Sequence, residues 1–336
     1  MKAAVYAGPG KLQLGDWPEP RIGPGELLVR VSGCGLCGSD ILKVTSPATK
    51  APAVFGHEVV GRVVEAGAGV TTFAPGQRVV AAHHVPCFAC HYCRRGSPSM
   101  CREFKQSNLD PGGFAELCRV PAPNVESATF ALPDTMNDET ASFTEPLACC
   151  LRAVKRSAAA AGDTVMVVGL GSIGCLLARL FEMCGARVFG ADLLPARRAL
   201  GRAAGARVFD AEADLDAALR DSSHGRGADI VMLTAGGSAL LPWAAARIRD
   251  GGQIHYFAGG AGESLPLSLA QLYHRELTLT ATYSSSPAEL REAFKLLADG
   301  TVRVDGLISH RLPLSDLAKG VELMQSQQAV KVYVTP

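Results

Sequence analysis

Four cysteines lie within fifteen residues of this 336-residue chain, at a spacing that suits a metal ion. They are Cys87, Cys90, Cys93 and Cys101, in a loop rich in glycine, proline and charge. Four thiolates close a tetrahedron around Zn²⁺ and leave no position for a substrate, so such an ion is structural. An iron–sulfur cluster and a nucleic-acid-binding zinc ribbon are the alternatives. The loop's arginines are too few for the ribbon, and the pattern predicts structural zinc.

A second set of metal-ligand residue types is spread along the first half of the chain. Cys37 precedes a predicted short helix, whose N-terminus stabilises a thiolate. His57 and Glu58 stand before a strand-like run, and Glu145 opens another predicted helix. Cysteine, histidine and carboxylate together make an open zinc site. The alternatives are a redox pair of Cys34 and Cys37, a surface His–Glu pair, and helix-dipole stabilisation by Glu145.

A third pattern, TVMVVGLGSIG, has the strand–turn–helix form of a dinucleotide site. An apolar β-branched run leads to G-x-G-x-x-G at Gly169, Gly171 and Gly174, and a helical run follows. The first glycine makes the tight turn and the second lets a pyrophosphate approach the backbone. The third lets helix and strand pack closely. The stretch therefore predicts a dinucleotide-binding turn.

An acidic residue at the expected distance indicates which dinucleotide binds. Asp192 lies eighteen residues after Gly174, at the end of a second predicted strand. A carboxylate there accepts hydrogen bonds from an adenosine ribose and repels a 2′-phosphate. Arg197 and Arg198 follow closely, and arginines at this place can bind a 2′-phosphate. The pattern favours NAD, with the two arginines as the reservation.

Length, charge and cysteine content limit the class of protein. A chain of 336 residues is long enough for two domains, and a net charge of +1 argues against a broad nucleic-acid or membrane surface. No apolar run approaches the ~18 residues of a membrane span. The N-terminus alternates like a strand, and eleven cysteines without a secretory signal indicate reduced thiols. We expect a cytoplasmic α/β protein that binds neither nucleic acid nor membrane.

Six motifs, in order, resemble the zinc-dependent medium-chain alcohol dehydrogenase superfamily, in its sorbitol and threonine dehydrogenase-like branch. They are GCGLCGSD, GHEVVGRVVEAG, the four-cysteine loop, PGGFAE, EPLACC and VVGLGSIG. The resemblance covers nearly the whole chain. It implies a GroES-like β-rich catalytic domain over 1–148, a Rossmann doubly wound parallel sheet over 149–281, and a return of 282–336 to the catalytic domain. Alternating strand and helix patterns support the Rossmann part, among them a helix predicted over 239–249.

The resemblance also implies which residues hold the catalytic zinc. Cys37 and His57 match two ligands of the family, and the third is ambiguous because Glu58 and Glu145 both match positions that the family uses. One of the two carboxylates exchanges with water in that reading. The zinc polarises the alcohol oxygen so that it loses its proton near neutral pH.

The implied proton route departs from the family pattern. Ser39 matches the hydroxyl that hydrogen-bonds the substrate alcohol and starts the proton relay. Many relatives carry a histidine five residues after the zinc cysteine, which passes the proton to solvent. Here that position is Leu42, which cannot carry a proton. The relay must end at the cofactor ribose and water, or run through Glu58 or Glu145.

The remaining implied contacts concern the cofactor and the substrate cleft. The residues expected at NAD are Gly169, Gly171, Ser172, Ile173, Gly174, Asp192, Arg197, Thr234, Ala235, Phe257, Ala258, Gly259 and Lys331, the last of them at the pyrophosphate. His83 and His84 precede the cysteine loop and are candidates for the cleft. Because adjacent residues on a strand point to opposite faces, we expect at most one of them to line it.

Together these features predict an enzyme with NAD and two Zn²⁺ per chain, one catalytic and one structural. It transfers a hydride from a secondary alcohol of a polyol, cyclitol or sugar-derived substrate to NAD, giving the ketone, as a homodimer or homotetramer. An L-threonine-type or simple alcohol dehydrogenase is the nearest alternative. The zinc-free quinone and enoyl reductases conflict with the cysteine loop, Cys37 and His57. A non-catalytic zinc-binding structural protein is the remote alternative, and it would bind NAD without turnover.

Overall fold

Two compact units make up the chain. The computed structural model describes residues 1–257 and 264–336, so the predicted cofactor residues Ala258 and Gly259 lie outside the described residues. One unit contains Met1–Ala148 and Ser285–Pro336, and the other contains Cys149–Ser284. The polypeptide thus leaves the first unit once and comes back to it for its last segment.

The described residues form short strands and helices throughout. The strands are β1 (Lys2–Gly8), β2 (Lys11–Asp16), β3 (Leu27–Leu36), β4 (Glu58–Ala66), β5 (Arg78–Ala82), β6 (Leu117–Val120), β7 (Thr129–Ala131), β8 (Thr164–Val168), β9 (Arg187–Ala191), β10 (Arg207–Val208), β11 (Ala228–Leu233), β12 (Ile248–Tyr256), β13 (Thr278–Ala281), β14 (His310–Pro313) and β15 (Val332–Thr335). The helices are α1 (Gly38–Thr45), α2 (His91–Arg94), α3 (Arg102–Gln106), α4 (Ala122–Ser127), α5 (Asp138–Ser142), α6 (Thr144–Ser157), α7 (Ser172–Met183), α8 (Pro195–Ala203), α9 (Glu212–Ser222), α10 (Leu241–Ala245), α11 (Leu269–His274), α12 (Pro287–Ala298) and α13 (Leu317–Gln325). Among them, none of the helices has both the length and the apolar character that a membrane crossing needs.

The first unit is organised around β3, a ten-residue strand with partners on both sides. The sheet order is β14-β15-β3-β4-β5-β7, and β6 also pairs with β3. Its apolar face packs into the core through side chains such as Leu27, Val29 and Val59. The register pairs Gly35 of β3 with Glu58 of β4 on one side and with Tyr333 of β15 on the other. The end of β3 therefore brings together the start of β4 and the start of β15.

The second unit is a six-stranded, fully parallel sheet. Its order is β10-β9-β8-β11-β12-β13, so the first strand of the unit lies in the middle and the chain runs outward from it in both directions. This is the doubly wound order of a Rossmann sheet, with its switch point between β8 and β11. All five residues of β8 are buried. The Rossmann prediction is confirmed, and the glycine-rich turn follows the central strand.

The helix predicted over 239–249 is too long. Helix α10 ends at Ala245, and β12 begins at Ile248, which pairs with Ala228 of β11. Arg275 fixes this transition, because its guanidinium donates to the carbonyls of Ala245 and Ile248 at 2.6 Å each. Pairing with a neighbouring strand overrides the local helical pattern here.

Candidate zinc and dinucleotide sites

Three ligand-type side chains converge at the end of β3. Cys37 is the N-cap of α1, and its backbone N–H donates to Asp40 Oδ2 at 3.1 Å, so that the acid closes a capping box. His57 and Glu58 lie at the start of β4. The ligand atoms of Cys37, His57 and Glu58 all lie within 4.8 Å of one another, whereas Glu145 is not part of this group. A cysteine, a histidine and a carboxylate at such separations fit a single zinc ion.

Asp40 is a functional residue that the sequence reasoning missed. Its Oδ1 lies 3.3 Å from His57 Nδ1, and both side chains are buried. A carboxylate on one ring nitrogen fixes the orientation of the ring and leaves Nε2 as the coordinating atom. Burial opposes a charge on His57, but Asp40 and Cys37 outweigh it and raise the histidine pKa well above its ordinary value. The acid three residues after the N-cap was the available sequence signal.

Lys331 has a different partner from the pyrophosphate that the resemblance implies. Its Nζ lies 2.6 Å from Oε1 and 2.5 Å from Oε2 of Glu58, and only 4% of the lysine is exposed. Burial would lower the pKa of Lys331, but the Glu58 carboxylate outweighs it and holds that pKa above its ordinary value. In this structure the ammonium is a buried counter-ion of Glu58, and its expected contact with the pyrophosphate stays a prediction. Phe143 packs beside it, with its ring centre 5.9 Å from Nζ.

Gly35 is the residue that makes room for this ion pair. A Cβ at Gly35 would overlap Glu58 Oε2 and come within 2.9 Å of Lys331 Cε. The overlapping atom is the end of a flexible side chain, but it is buried and paired with Lys331, so moving it disturbs the ion pair. The close approach of this charge favours glycine at position 35, whose own φ is not in the left-handed region.

The two adjacent histidines do not follow the expected alternation. Strand β5 ends at Ala82, so His83 and His84 lie beyond it, and their rings stack with centres 3.7 Å apart. The expectation of opposite faces is wrong because the strand has already ended. His83 lies against His57, with ring centres 4.5 Å apart, whereas His84 packs on Phe104 at 4.7 Å. Only His83 is thus a direct neighbour of the three-ligand group.

The four cysteines of the loop form a compact cluster. The Sγ–Sγ distances are 3.5 Å for Cys90–Cys93, 3.6 Å for Cys87–Cys101 and 4.0 Å for Cys87–Cys93. Zinc–sulfur bonds of 2.3 Å in a tetrahedron require separations of about 3.8 Å. Backbone amides also point at the sulfurs, with Cys90 N–H donating to Cys87 Sγ at 3.3 Å. Burial raises the pKa of Cys101, but hydrogen bonds at its sulfur, among them the Cys87 N–H at 3.5 Å, outweigh burial and lower that pKa to about 6. The cluster fits a four-thiolate zinc ion.

Ser39 and Leu42 both lie on the outer side of α1. Ser39 is exposed at the second position of the helix, and Leu42 is 53% exposed. The side chain at position 42 therefore faces solvent, as a group that releases protons would need to do. Because leucine has no titratable group, position 42 cannot release a proton to solvent in this protein.

The glycine-rich turn after β8 has a different geometry at each glycine. Gly169 has a φ of +90°, which favours glycine, and it leads into α7, whose N-cap is Gly171. The position of a Cβ on Gly171 has no atom within 4 Å, so the backbone is open there. A Cβ on Gly174 would overlap the carbonyl of Gly169. The open helix N-terminus is a ready site for a pyrophosphate.

Asp192 hydrogen-bonds the backbone of this turn and of its own segment after β9. Its Oδ2 accepts from the N–H of Leu170 at 2.8 Å, and its Oδ1 accepts from the N–H of Leu194 at 2.9 Å. Arg198 is held by Asp210 and by the carbonyl of Asp192. The guanidinium is thus engaged within the protein, which weakens the reservation that it binds a 2′-phosphate.

The other predicted cofactor residues lie at the carboxyl ends of neighbouring strands. Thr234 follows β11, and its hydroxyl donates to the carbonyls of Val168 and Gly169 at 3.0 Å each. Phe257 follows β12 and donates its N–H to Leu233. The remaining described members of the set lie in the first turn of α7, after β11 and in α8, and they are Ser172, Ile173, Ala235 and Arg197. Strand ends at a switch point are where such sheets bind ligands.

Known proteins share both halves of this arrangement. Residues 23–133 match the family model of the alcohol dehydrogenase GroES-like domain, and residues 169–299 match that of zinc-binding dehydrogenases. The chain is 30% identical to L-galactonate-5-dehydrogenase of Escherichia coli (strain K12), over 100% of this chain and 99% of that protein. It is 32% identical to erythritol/L-threitol dehydrogenase of Mycolicibacterium smegmatis, over 100% and 98%.

A solved structure gives the same result in three dimensions. A zinc-binding dehydrogenase from Sinorhizobium meliloti 1021, solved bound to NADP, superposes with a TM-score of 0.87 at 29% identity, over 100% of this chain and 99% of that chain. The chain belongs to the zinc-dependent medium-chain alcohol dehydrogenase superfamily. The predicted fold, a GroES-like domain with a Rossmann sheet, is confirmed. The predicted class, an NAD-dependent zinc oxidoreductase of small-molecule secondary alcohols, is confirmed as well.

The space around Gly35 gives a prediction with a matched control. Gly35→Ala must displace the Glu58 carboxylate, so we expect it to lower the zinc content and to cost about 1–3 kcal/mol of stability, as overpacking does. Gly38→Ala adds the same methyl group three residues later, where no atom lies within 4 Å. Metal analysis and thermal unfolding of the two variants, side by side, check the expectation. Equal zinc content and equal melting temperatures would contradict it.

Proposed function

We propose that this enzyme oxidises a secondary alcohol of a polyol or a sugar-derived substrate at a zinc ion held by Cys37 and His57. The observation that carries the proposal is the convergence of Cys37, His57 and Glu58 ligand atoms within 4.8 Å. The named activities of the relatives, on L-galactonate and on erythritol or L-threitol, support the substrate class. In this proposal, residues 1–148 and 282–336 perform the zinc chemistry and residues 149–281 bind NAD.

The third ligand is a carboxylate, for which the geometry favours Glu58. Its oxygens lie close enough to Cys37 and His57 to share an ion with them, while Lys331 competes for the same oxygens. Glu145, buried in the first turn of α6, is the alternative ligand. We propose that Glu58 would hold the ion with Cys37 and His57, with Glu145 as the alternative ligand, and that the Lys331 ammonium would compensate the charge of a Glu58 carboxylate that is not bound to the ion.

Each side chain of the site has a separate task. Zinc, when bound, supplies a Lewis acid that polarises the alcohol oxygen. Asp40 keeps the His57 ring in the orientation that presents Nε2. Ser39 accepts a hydrogen bond from the hydroxyl group of the substrate and relays its proton to water. Water is the acceptor because the Ser39 side chain is exposed and Leu42 carries no titratable group. Glu58 and Glu145 are the next candidates if the proton leaves by another route.

The proposed cofactor preference is NAD over NADP. The Asp192 carboxylate lies next to the glycine-rich turn, where it repels a 2′-phosphate. Arg198, which could offset that repulsion, is engaged by Asp210. One structural neighbour was solved bound to NADP, so the preference of this chain for NAD rests on its own side chains at this turn.

We further propose a homodimer or homotetramer in the cytoplasm. In the described part of the second unit, β13 pairs on one side only, and the neighbouring helix α11 exposes Leu269 and Tyr273 by 78% and 76%. Open strand edges and exposed apolar side chains favour self-association. The structure describes all eleven cysteines and shows no disulfide between them, which supports a reducing compartment. Light scattering of the purified protein measures its mass, and a monomer would exclude the assembly.

A substrate panel tests the proposed function directly. Purified protein with zinc is mixed with NAD or NADP and with polyols, inositols, aminocyclitols, sugar acids, simple alcohols and L-threonine. We expect NADH formation to be fastest with a polyol or a sugar-derived alcohol, and slower with NADP. Fastest turnover of L-threonine would establish the alternative activity on the same scaffold. Bound NAD without turnover of any substrate would support the non-catalytic alternative.

The exposed hydroxyl of Ser39 gives the mechanistic prediction. Ser39→Ala should lower alcohol oxidation by about 10²–10⁴-fold, the range for lost acid–base help. Thr45→Ala removes another exposed hydroxyl from the same helix and should leave the rate nearly unchanged. Leu42→His adds a titratable group at the solvent outlet and is expected to raise the rate, most visibly at low pH. Rates of the three variants under saturating NAD check this, and an unaffected Ser39→Ala would reject the proposed proton route.

A further inference from the structure

A continuous series of stacked rings connects the two metal-ligand groups of the first unit. It starts at His57, continues through His83 and His84, and ends at Phe104. The successive ring centres are 4.5, 3.7 and 4.7 Å apart, and the planes are tilted by 38–43°. Contacting aromatic rings usually have centres about 4.5–7 Å apart, so all three pairs are in contact and His83 and His84 approach most closely. One end of the series is a candidate ligand of the catalytic ion, and the other end belongs to the four-cysteine loop.

The Phe104 end is tied to the four-cysteine group by the helix that carries it. Helix α3 begins directly after its N-cap, Cys101, whose sulfur lies 3.6 Å from Cys87 Sγ within the four-cysteine group. A metal ion on the four cysteines therefore fixes the start of α3. Phe104 is 1% exposed and cannot reorient without opening the core around it.

The far end of α3 holds the histidine segment in place. Ser107, the C-cap of α3, accepts from His84 Nδ1–H through its carbonyl at 2.6 Å. The Ser107 hydroxyl accepts the N–H of Val85 at 2.9 Å and donates to the Phe104 carbonyl at 3.0 Å. The His84 ring is thus held by a hydrogen bond at its Nδ1 edge and by contact of one face with the Phe104 ring.

His57 is consequently supported from two directions. Asp40 Oδ1 lies 3.3 Å from its Nδ1, and the His83 ring lies against its ring with centres 4.5 Å apart. His83 itself is 9% exposed, and its Nδ1 has no hydrogen-bond partner among the described residues, so no polar contact at that atom holds it. The closest ring contact of His83 is with His84, at 3.7 Å between centres, so His84 supports that side of His57.

We propose that His84 is a positioning residue through which the four-cysteine loop holds the His57 ring ready for its metal ion. The inference rests on the proposed ligand roles of His57 and the four cysteines. In this proposal the structural ion also serves the catalytic site. By ordering the four-cysteine loop, it determines how tightly the catalytic site binds its own zinc ion. Partners that orient a ligand without touching the metal are worth about 10–100-fold in metal affinity.

Three substitutions at position 84 separate the ring contact from the hydrogen bond. His84→Ala removes both, His84→Asn keeps a donor for Ser107 without the ring, and His84→Phe keeps a ring without the donor. His91→Ala is the matched control, because His91 is an exposed histidine of the four-cysteine loop whose ring pairs with Tyr92 and not with the series of rings. All four are purified with two zinc ions and titrated with a chromophoric zinc chelator.

We expect His84→Ala and His84→Asn to release the catalytic zinc about 10–100-fold more readily than the control. His84→Phe should stay close to the control. Co²⁺ placed in the catalytic site should show changed visible bands in His84→Ala and unchanged bands in His84→Phe, a signature that mere loss of stability does not produce. An unaltered catalytic affinity in His84→Ala, or equal losses in the alanine and phenylalanine variants, would overturn the proposal.

Cys90→Ser tests the connection to the loop. It removes one thiolate of the structural group, so it should weaken the catalytic zinc as well. Combined with His84→Ala it should weaken it no further, since both changes break the same connection. Fully additive losses would show two independent effects and overturn the inference. Fewer than two zinc ions in the unchanged protein would instead reject the proposed function, so the two failures are distinguishable.

Discussion

The buried ion pair of Glu58 and Lys331 is the interaction on which the zinc site of the first unit depends. Removing a carboxylate and an ammonium from water costs several kcal/mol per ion, and their attraction offsets this only when the geometry is close. Both side chains are almost completely buried, and their charged atoms are 2.5–2.6 Å apart. The pair requires β3, β4 and β15 in one register, with a glycine at position 35. That register also sets Cys37 beside His57, so the charge pair and the metal ligands form together.

The sheet brings together parts of the chain that are far apart in sequence. Lys331 lies on the segment that returns to the first unit, and it meets Glu58 across 273 positions. A shift of β15 by one residue would turn the lysine away from the carboxylate, because successive side chains point to opposite faces. The four-cysteine loop works locally instead, since its ligands need only fifteen residues of chain. The first unit thus contains a charge pair formed over a long sequence distance and a cysteine cluster formed within one loop. The adjacent rings of His83 and His84 lie between the catalytic ligands and that loop.

The local features of this protein were readable from its sequence, and the long-range ones were not. The Rossmann turn was predictable because strand, glycines and helix occupy eleven consecutive residues, and the cysteine loop because its spacing suits a tetrahedron. The partner of Lys331 was not, because no local pattern encodes a pairing across two strands. The end of α10 at Ala245 was missed because strand pairing of Ile248 overrides helical periodicity. The contact between the rings of His83 and His84 depends on the residue at which β5 ends. Strand propensity does not predict the end of a strand to within one residue.

X-ray absorption at the zinc edge, on protein containing two zinc ions per chain, tests the central claim most directly. The measurement averages the ligands of both ions. Five thiolates, those of Cys37 and the four loop cysteines, are shared between two sites. The account therefore predicts about 2.5 sulfur ligands per zinc, with nitrogen and oxygen completing the remainder. A value near four sulfurs per zinc would contradict it, because every bound ion would then sit among thiolates alone and no zinc would be held by His57 and a carboxylate.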